Sequence, residues 1–350
     1  MLPNLKQYQK IINKIINTFF IENIDNDFIK EMAIHALIGG KRLRSSFALD
    51  VYLTTLHHLK MYPNIDNIEQ QLTLDNMPIE ICYYLISVEL LHNTSLILDD
   101  LPSMDNDIYR RGQKTIHNQY GRSNAHILAS YFLEQSLMFF QKSFSVWEKD
   151  LVDDNQMSLI YKLSNHINYF KNMFLKEMLI ATEGQYLDLY PETAPMQGND
   201  YWEYYGNNND IILNMVVMKT GPFYMLAFCG GYLLGRFNYM TKQIIQNNIE
   251  TDKIEIIMKR TRSRFDKLKN ASYQFSYAFQ ISDDILDIKK DEEKAKKNIM
   301  VNNYPLMIGV KRATKKVQTS LVNWKKSLEE LFLWSPLTHE IYDYIPDRDK

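Results

Sequence analysis

The chain has 350 residues, 45% of them hydrophobic, which is enough apolar content for a large folded core. Its formal net charge of -2 provides no broad basic surface, which argues against nucleic acid as a partner. The two cysteines, Cys82 and Cys229, fit neither a zinc-binding spacing nor a disulfide framework, so a reducing compartment is expected.

Helical periodicity begins near the N-terminus. Apolar residues recur at three- and four-residue spacing at Leu5, Tyr8, Ile12, Ile15 and Phe19. No secretory h-region precedes them and no run of about eighteen apolar residues follows, so we expect a soluble protein of the cytoplasm or a plastid-type organelle. The same periodicity recurs along the chain, and the 12 glycines and 10 prolines are scarce, which together favour long helices.

Three polar stretches interrupt this pattern and are predicted to be loops. They are Lys60 to Met77, Pro191 to Asp210, and the charged run Lys289 to Lys297. None has the length or composition of a linker between domains, and no internal repeat is present. A single domain over residues 1–350 is therefore expected.

A first acidic motif ends an apolar segment that reads LLHNTSLILDDLPSMD and contributes Asp99, Asp100 and Asp105. Pro102 disfavours helical geometry at Leu101, so the chain can turn Asp105 back towards the pair. Converging carboxylates repel one another unless cations lie between them, and hard oxygen ligands beside phosphate suit Mg²⁺. The motif predicts a magnesium site; a solvated helix end is the alternative.

A second acidic cluster occurs in the segment YAFQISDDILD. Asp283 and Asp287 are one helical turn apart on one face, with Asp284 beside them. Alone, such a cluster is more often an exposed acidic turn. Two clusters in one helical protein could together hold a diphosphate through magnesium ions and neutralise a departing diphosphate group.

Basic residues could form a second diphosphate site that needs no metal. Lys41 and Arg44 are predicted to share one turn of GGKRLR, and Arg110 and Arg111 directly follow the first acidic motif. Guanidinium groups bind phosphate oxygens bidentately. His92, seven residues before the first acidic motif, could add a donor. Each residue taken singly is as well explained as a surface cation or a core histidine.

These segments resemble those of the trans-prenyl diphosphate synthases, most closely the bacterial and plastid-type geranylgeranyl and farnesyl enzymes. The resemblance extends over nearly the whole chain through GGKRLR, DDLPSMDND, RRG, GQYLDL, MKTG, FQISDDILD and YIPDRDK. It implies an all-α fold, a single large helical bundle of the isoprenoid synthase type with a central substrate cavity. It also implies a homodimeric, Mg²⁺-dependent prenyltransferase that joins isopentenyl diphosphate to dimethylallyl, geranyl or farnesyl diphosphate.

The resemblance assigns roles to individual residues. The metal ligands would be Asp99, Asp100, Asp105, Asp283 and Asp287. The allylic diphosphate would contact Arg110 and Lys219, and isopentenyl diphosphate would contact Lys41, Arg44, His92 and Arg111. Thr220 and Gln280 would line the reacting carbons, so the expected catalytic residues are Lys219, Thr220, Gln280 and Arg110.

Two departures from the family pattern stand out. Met300 and Val301 replace the Gly-Lys of the lid that follows the second acidic motif, and Ser130 and Tyr131 replace a Gly-Asp after the first. Either the enzyme is slow or another cation serves the lid. The candidates are Lys289, Lys290, Lys294, Lys296 and Lys297.

Product length in the family depends on side-chain bulk just before the first acidic motif. Asn93, Thr94 and Ser95 are small there, which predicts geranylgeranyl diphosphate or a longer product; a farnesyl diphosphate synthase is the alternative. A class I terpene cyclase shares the fold but binds one diphosphate, whereas the basic residues indicate two. A non-catalytic subunit of a heteromeric synthase would explain the altered lid but not the two intact acidic motifs.

Overall fold

The computed structural model describes residues 2–61, 73–74, 76–150, 157–190, 211–246, 251–296 and 303–348. Its residues group into two compact units. Unit 1 comprises Met1–Ile167 and Gly230–Glu255, and unit 2 comprises Asn168–Cys229 and Ile256–Lys350. The all-α fold class is confirmed for the described residues, while the single domain stays a prediction.

The first half of the chain is built from six helices and a short hairpin in its described part. In chain order these are α1 Pro3–Phe19, α2 Asp27–Leu37, α3 Leu43–His58, α4 Ile79–Asp99, β1 Tyr109–Arg110, β2 Gln113–Lys114, α5 Ile116–Tyr120 and α6 Arg122–Asp150. Helix α1 buries Leu5, Tyr8, Ile12 and Ile15, as its periodicity predicts. Its Tyr8 hydroxyl donates a hydrogen bond of 2.6 Å to the buried carboxylate of Asp50 in α3.

Helix α4 forms much of the core of unit 1. It is apolar on most of its surface, and over one 18-residue window its mean hydropathy reaches 1.3. By length and composition it could therefore span a membrane, but 67% of that window is buried inside the protein. A core helix that carries a functional motif at its end explains the same composition.

The second half of the chain continues with α7 Met157–Leu189, α8 Ile211–Ile245, α9 Thr251–Lys296, α10 Tyr304–Ile308, α11 Val310–Glu330 and α12 Pro336–Tyr344. Aromatic rings fill the core of unit 2. The ring of Trp324 in α11 lies 4.7 Å from that of Phe275 in α9 and 6.0 Å from that of Phe228 in α8. Cys82 and Cys229 are buried free thiols.

One of the three loop predictions is wrong. The charged run from Lys289 is helical as far as Lys296, because α9 continues through it. Lysine, glutamate and alanine are strong helix formers, and the run contains neither glycine nor proline to end the helix. Most of Lys60 to Met77, and all of Pro191 to Asp210, lie outside the described residues.

Candidate active site

The first acidic motif turns back on itself at the end of α4. The helix ends at Asp99, and the chain then turns so that the backbone N–H of Asp105 donates a hydrogen bond of 2.9 Å to the carbonyl of Asp99. The N–H of Asn106 likewise donates to the carbonyl of Leu101 at 3.1 Å. This is the turn that Pro102 predicts, because proline disfavours helical geometry at the residue before it. Asp105 is exposed and Asp99 half-buried.

The third carboxylate of this motif, that of Asp100, is buried and bound by arginine. Its Oδ1 atom accepts from Nε of Arg110 at 2.6 Å and lies 2.6 Å from Nη2 of the same guanidinium. Burial raises the pKa of Asp100, and the hydrogen bond from Arg110 opposes this shift. Arg110 is therefore positioned by the acidic motif itself.

Arg110 and Arg111 lie in different parts of a hairpin, and their side chains therefore diverge. Strands β1 and β2 pair antiparallel, with Arg110 opposite Gln113, which leaves Arg111 and Gly112 as a two-residue turn. Both turn residues have positive φ, 54° and 77°, as a type I′ turn requires. The glycine of the RRG motif therefore serves the turn. The sequence analysis missed this hairpin, although a glycine after two arginines was a signal for it.

A cluster of cations lies beside the first acidic motif in unit 1. Arg44 Nη1 and His92 Nε2 are 2.9 Å apart, and the guanidinium groups of Arg42 and Arg111 lie against Gly40. Burial, and then the charge of Arg44, lower the pKa of His92 well below its usual value, so the ring is neutral at pH 7. Burial and the charge of Arg42 also lower the pKa of Arg111. Positive charge is concentrated here, which favours an anionic ligand.

Arg42 is a residue that the sequence analysis did not single out, and it organises this cluster. Its buried side chain donates to Asn13 Oδ1 at 2.9 Å, to Glu89 Oε2 at 3.0 Å and to the Leu37 carbonyl at 2.5 Å. The only hint in the sequence was an arginine within a basic run.

The basic segment GGKRLR is not one helical turn, which corrects the prediction for Lys41 and Arg44. Arg42 has a left-handed backbone with φ 55°, and α3 begins only at Leu43. Lys41 therefore precedes the helix and is exposed, whereas Arg44 lies in its first turn. The buried contacts of Arg42 hold this left-handed turn, which an L-residue adopts only at a cost of about 1–2 kcal/mol.

In unit 2, a close approach of two helices sets the position of Lys219. A Cβ atom on Gly184 of α7 would lie 2.4 Å from the backbone N of Lys219 in α8, so only glycine allows this packing. Lys219 Nζ then lies 3.0 Å from Asp188 Oδ2, one turn further along α7. The segments GQYLDL and MKTG thus meet through a lysine and a carboxylate.

The second acidic motif lies on α9 and presents its three carboxylates to different surroundings. Asp283 Oδ1 is 2.5 Å from Nη1 of Arg348, whose guanidinium lies over the ring of Phe279 at 4.7 Å. Asp287 is exposed. Asp284 is buried, and burial raises its pKa to about 7.

Two further predicted residues of unit 2 are hydrogen-bonded to each other. Thr220 Oγ1 donates to Gln280 Oε1 at 3.1 Å, and the Gln280 amide donates to Asp284 Oδ1 at 3.0 Å. Thr220 is buried and Gln280 is partly exposed. The structure therefore brings together Thr220 and Gln280 in unit 2, and Arg44, His92 and Arg111 in unit 1.

The acidic motifs suit magnesium by donor chemistry. Asp99, Asp105, Asp283 and Asp287 offer carboxylate oxygens, the hard ligands that Mg²⁺ takes, and all four are at least partly accessible. Among the residues that the structure describes, no three His, Cys, Asp or Glu side chains are close enough together to hold a metal by themselves. Magnesium characteristically completes its shell with water and substrate phosphate, so a sparse set of carboxylates is compatible with it.

The structure describes one of the two sites at which this chain departs from the family pattern, that of Ser130 and Tyr131. Tyr131 of α6 packs its ring 6.4 Å from that of Phe20, and Ser130 is exposed. Met300, Val301 and Lys297 lie outside the described residues, as does the side chain of Lys294. The remaining lysines of the run, Lys289, Lys290 and Lys296, are exposed on α9. A lid role for one of these lysines stays a prediction.

Comparison with known proteins identifies the class to which this chain belongs. The family model of Polyprenyl synthetase matches residues 26–318, which is most of the chain. A farnesyl diphosphate synthase of Buchnera aphidicola subsp. Schizaphis graminum is 30% identical over 296 residues, covering 84% of this chain and 79% of that protein. The farnesyl diphosphate synthase of Bacillus subtilis is 25% identical over 340 residues, covering 94% and 92%. The chain therefore belongs to the polyprenyl synthetase family of prenyltransferases.

Solved structures support the fold. A geranyltransferase from Helicobacter pylori, crystallised with magnesium and isoprenyl diphosphate, matches 99% of this chain and 98% of its own with a TM-score of 0.57 and 20% identity. At that identity the likeness concerns the fold alone. The predicted isoprenoid synthase type of helical fold is confirmed.

Proposed function

We propose that the chain condenses isopentenyl diphosphate with an allylic diphosphate, head to tail and in trans, to give geranylgeranyl diphosphate or a longer prenyl chain. One observation in particular supports two diphosphate substrates over one. The cluster of Arg44, Arg111 and the neutral His92 concentrates positive charge, and the nearby carboxylate of Glu89 is already bound by Arg42 and Ser45. Such a cluster can bind a diphosphate without a metal.

The chain's own residues would divide the work as follows. Asp99, Asp100, Asp105, Asp283 and Asp287 would hold Mg²⁺, which when bound neutralises charge on the departing diphosphate. Arg110 and Lys219 would contact that diphosphate, and both have a carboxylate partner that fixes their position, Asp100 and Asp188. Thr220 and Gln280 would line the reacting carbons. His92 would donate to isopentenyl diphosphate as a neutral ring, since burial and Arg44 lower its pKa.

The small residues before the first acidic motif support a long product. Asn93 and Thr94 are buried in α4, and Ser95 is half-buried. All three polar ends bond back to carbonyls of the same helix, Asn93 to Glu89, Thr94 to Leu90 and Ser95 to His92. No large side chain projects from these positions.

The names of the relatives favour the second candidate, a farnesyl diphosphate synthase. Their bacterial origin gives no support to a plastid-type compartment.

Product analysis tests this proposal. The purified chain is supplied with Mg²⁺, labelled isopentenyl diphosphate and, in separate reactions, dimethylallyl, geranyl or farnesyl diphosphate. We expect elongation of each primer to a product of at least four isoprene units. A product that stops at three units would establish the farnesyl alternative. If no labelled isopentenyl diphosphate is incorporated with any primer, the result would indicate a non-catalytic subunit of a heteromeric synthase. A hydrocarbon formed without isopentenyl diphosphate would indicate a terpene cyclase.

Thr94→Tyr is expected to shorten the main product by at least one isoprene unit. The Thr94 hydroxyl lies within hydrogen-bonding distance of the carbonyls of Leu90 and of Ala129 in α6, so an aromatic ring at this position must project between or beside these helices. Chain length is read from the dephosphorylated products. The isosteric Thr94→Val is the control and should retain the wild-type product. An unchanged product in a folded Thr94→Tyr protein would place the length determinant elsewhere.

A further inference from the structure

We infer that Asp284, the middle carboxylate of the second acidic motif, is a positioning residue that orients Gln280 and anchors the start of α10, rather than a ligand of the metal. This inference rests on the proposed function, because Gln280 is expected to line the reacting carbons. The family resemblance assigns metal binding to Asp283 and Asp287 and gives no role to Asp284, the carboxylate beside Asp283. Their surroundings in the structure separate them.

Both carboxylate oxygens of Asp284 are already bound by protein donors. Oδ1 accepts from the side-chain amide of Gln280 at 3.0 Å, and Oδ2 accepts from the backbone N–H of Tyr304 at 3.2 Å. The side chain is 9% exposed, whereas Asp287 on the same helix is exposed and Asp283 is half-buried. A metal ion at Asp284 would have to reach a buried carboxylate whose two oxygens already accept from protein donors, and displacing either donor would leave it buried and unsatisfied, at a cost of about 1–3 kcal/mol.

Asp284 also determines which way the Gln280 amide faces. A carboxylate accepts hydrogen bonds, so the NH₂ end of Gln280 turns towards Asp284 and the carbonyl end towards Thr220. Thr220 Oγ1 then donates to Gln280 Oε1 at 3.1 Å. Without Asp284 the Gln280 amide could rotate by about 180°. Its NH₂ group would then face Thr220, and the hydrogen bond from Thr220 Oγ1 to Gln280 Oε1 would be lost. The carboxylate thus fixes the two residues that the proposed reaction needs next to its carbons.

The same residue holds the chain where α10 begins. Asn303, the N-cap of α10, donates from its side chain to the Asp284 backbone carbonyl at 2.7 Å and to Asp291 Oδ2 at 3.0 Å. Asn303 is 1% exposed and Tyr304 5% exposed, so these contacts are shielded from water. Asp284 is therefore connected by hydrogen bonds to Asn303 and Tyr304, which join the second acidic motif to the start of α10.

A comparison of Asp284→Asn with Asp283→Asn tests the inference. Asparagine keeps the size of the side chain but has one acceptor oxygen, so it can satisfy Gln280 or Tyr304 and not both. We expect Asp284→Asn to lower turnover about 10- to 100-fold, the usual loss when a group that orients a functional residue is removed. Binding of Mn²⁺ in the presence of inorganic diphosphate, followed by electron paramagnetic resonance, should stay unchanged. Asp283→Asn should weaken that binding.

A double-mutant cycle with Gln280→Met shows whether Asp284 acts through Gln280. If it does, adding Asp284→Asn to Gln280→Met lowers turnover by less than about twofold more, whereas a purely structural role gives multiplied losses. Asp284→Ser is a second variant, expected to show the same pattern if the asparagine variant does not fold. Mn²⁺ binding weakened as in Asp283→Asn, multiplied losses, or full turnover in Asp284→Asn would each overturn the inference. A wild-type protein that makes no prenyl product would instead overturn the proposed function.

Discussion

Alanine at Asp99 or at Asp283 is expected to lower turnover about 100- to 1,000-fold in each variant, the loss typical when a group that stabilises transition-state charge is removed. Both side chains are half-buried, so neither substitution should unfold the protein. Steady-state rates with isopentenyl and geranyl diphosphate measure the loss, and thermal unfolding checks the fold. Asp343→Ala is the matched control, because Asp343 is an exposed carboxylate that pairs with His339 on the same helix, and it should keep full activity.

Metal removal provides the companion measurement. Carboxylates gain affinity for phosphate only through a bridging cation, so EDTA in excess over Mg²⁺ should abolish turnover of the wild type and added Mg²⁺ should restore it. Full activity in EDTA, or in either alanine variant, would rule out a role for the two acidic motifs as metal ligands.

Arg42→Met is expected to destabilise the protein by about 3–5 kcal/mol, because it leaves the carboxylate of Glu89 buried without its cation. Arg42 and Glu89 are joined at 3.0 Å, and their side chains are only 5% and 3% exposed. The free energy of unfolding in urea measures the effect. The loss should exceed that from Lys267→Ala, which removes an exposed pair with Glu330 and should cost at most about 0.2–1 kcal/mol.

The double variant Arg42→Met, Glu89→Leu removes both charges and should recover much of the lost stability, since no uncompensated buried charge remains. Binding of isopentenyl diphosphate should not recover with it, because the left-handed turn that places Lys41 before α3 is held by Arg42. A single Arg42→Met variant as stable as the wild type would show that the pair contributes little to this turn.

The sequence by itself determined the all-α fold class, because apolar spacing in helices such as α1 and the scarcity of glycine and proline depend on local geometry alone. It also predicted the turn after Asp99, since Pro102 acts on its immediate neighbour. The family followed from motifs in a fixed order. The roles of the individual site residues remain predictions until the variants are measured.

Only the tertiary structure decided how residues of one motif differ from each other. Arg110 ends a strand whereas Arg111 lies in the hairpin turn after it, and the buried side chain of Arg42 is bound by three helices, two of which, those of Asn13 and Glu89, are far away in sequence. Asp284 differs from Asp283 because α10 returns to cover one side of α9 and not the other. Burial and partner identity arise from contacts between distant segments, and a local pattern of charges does not encode them.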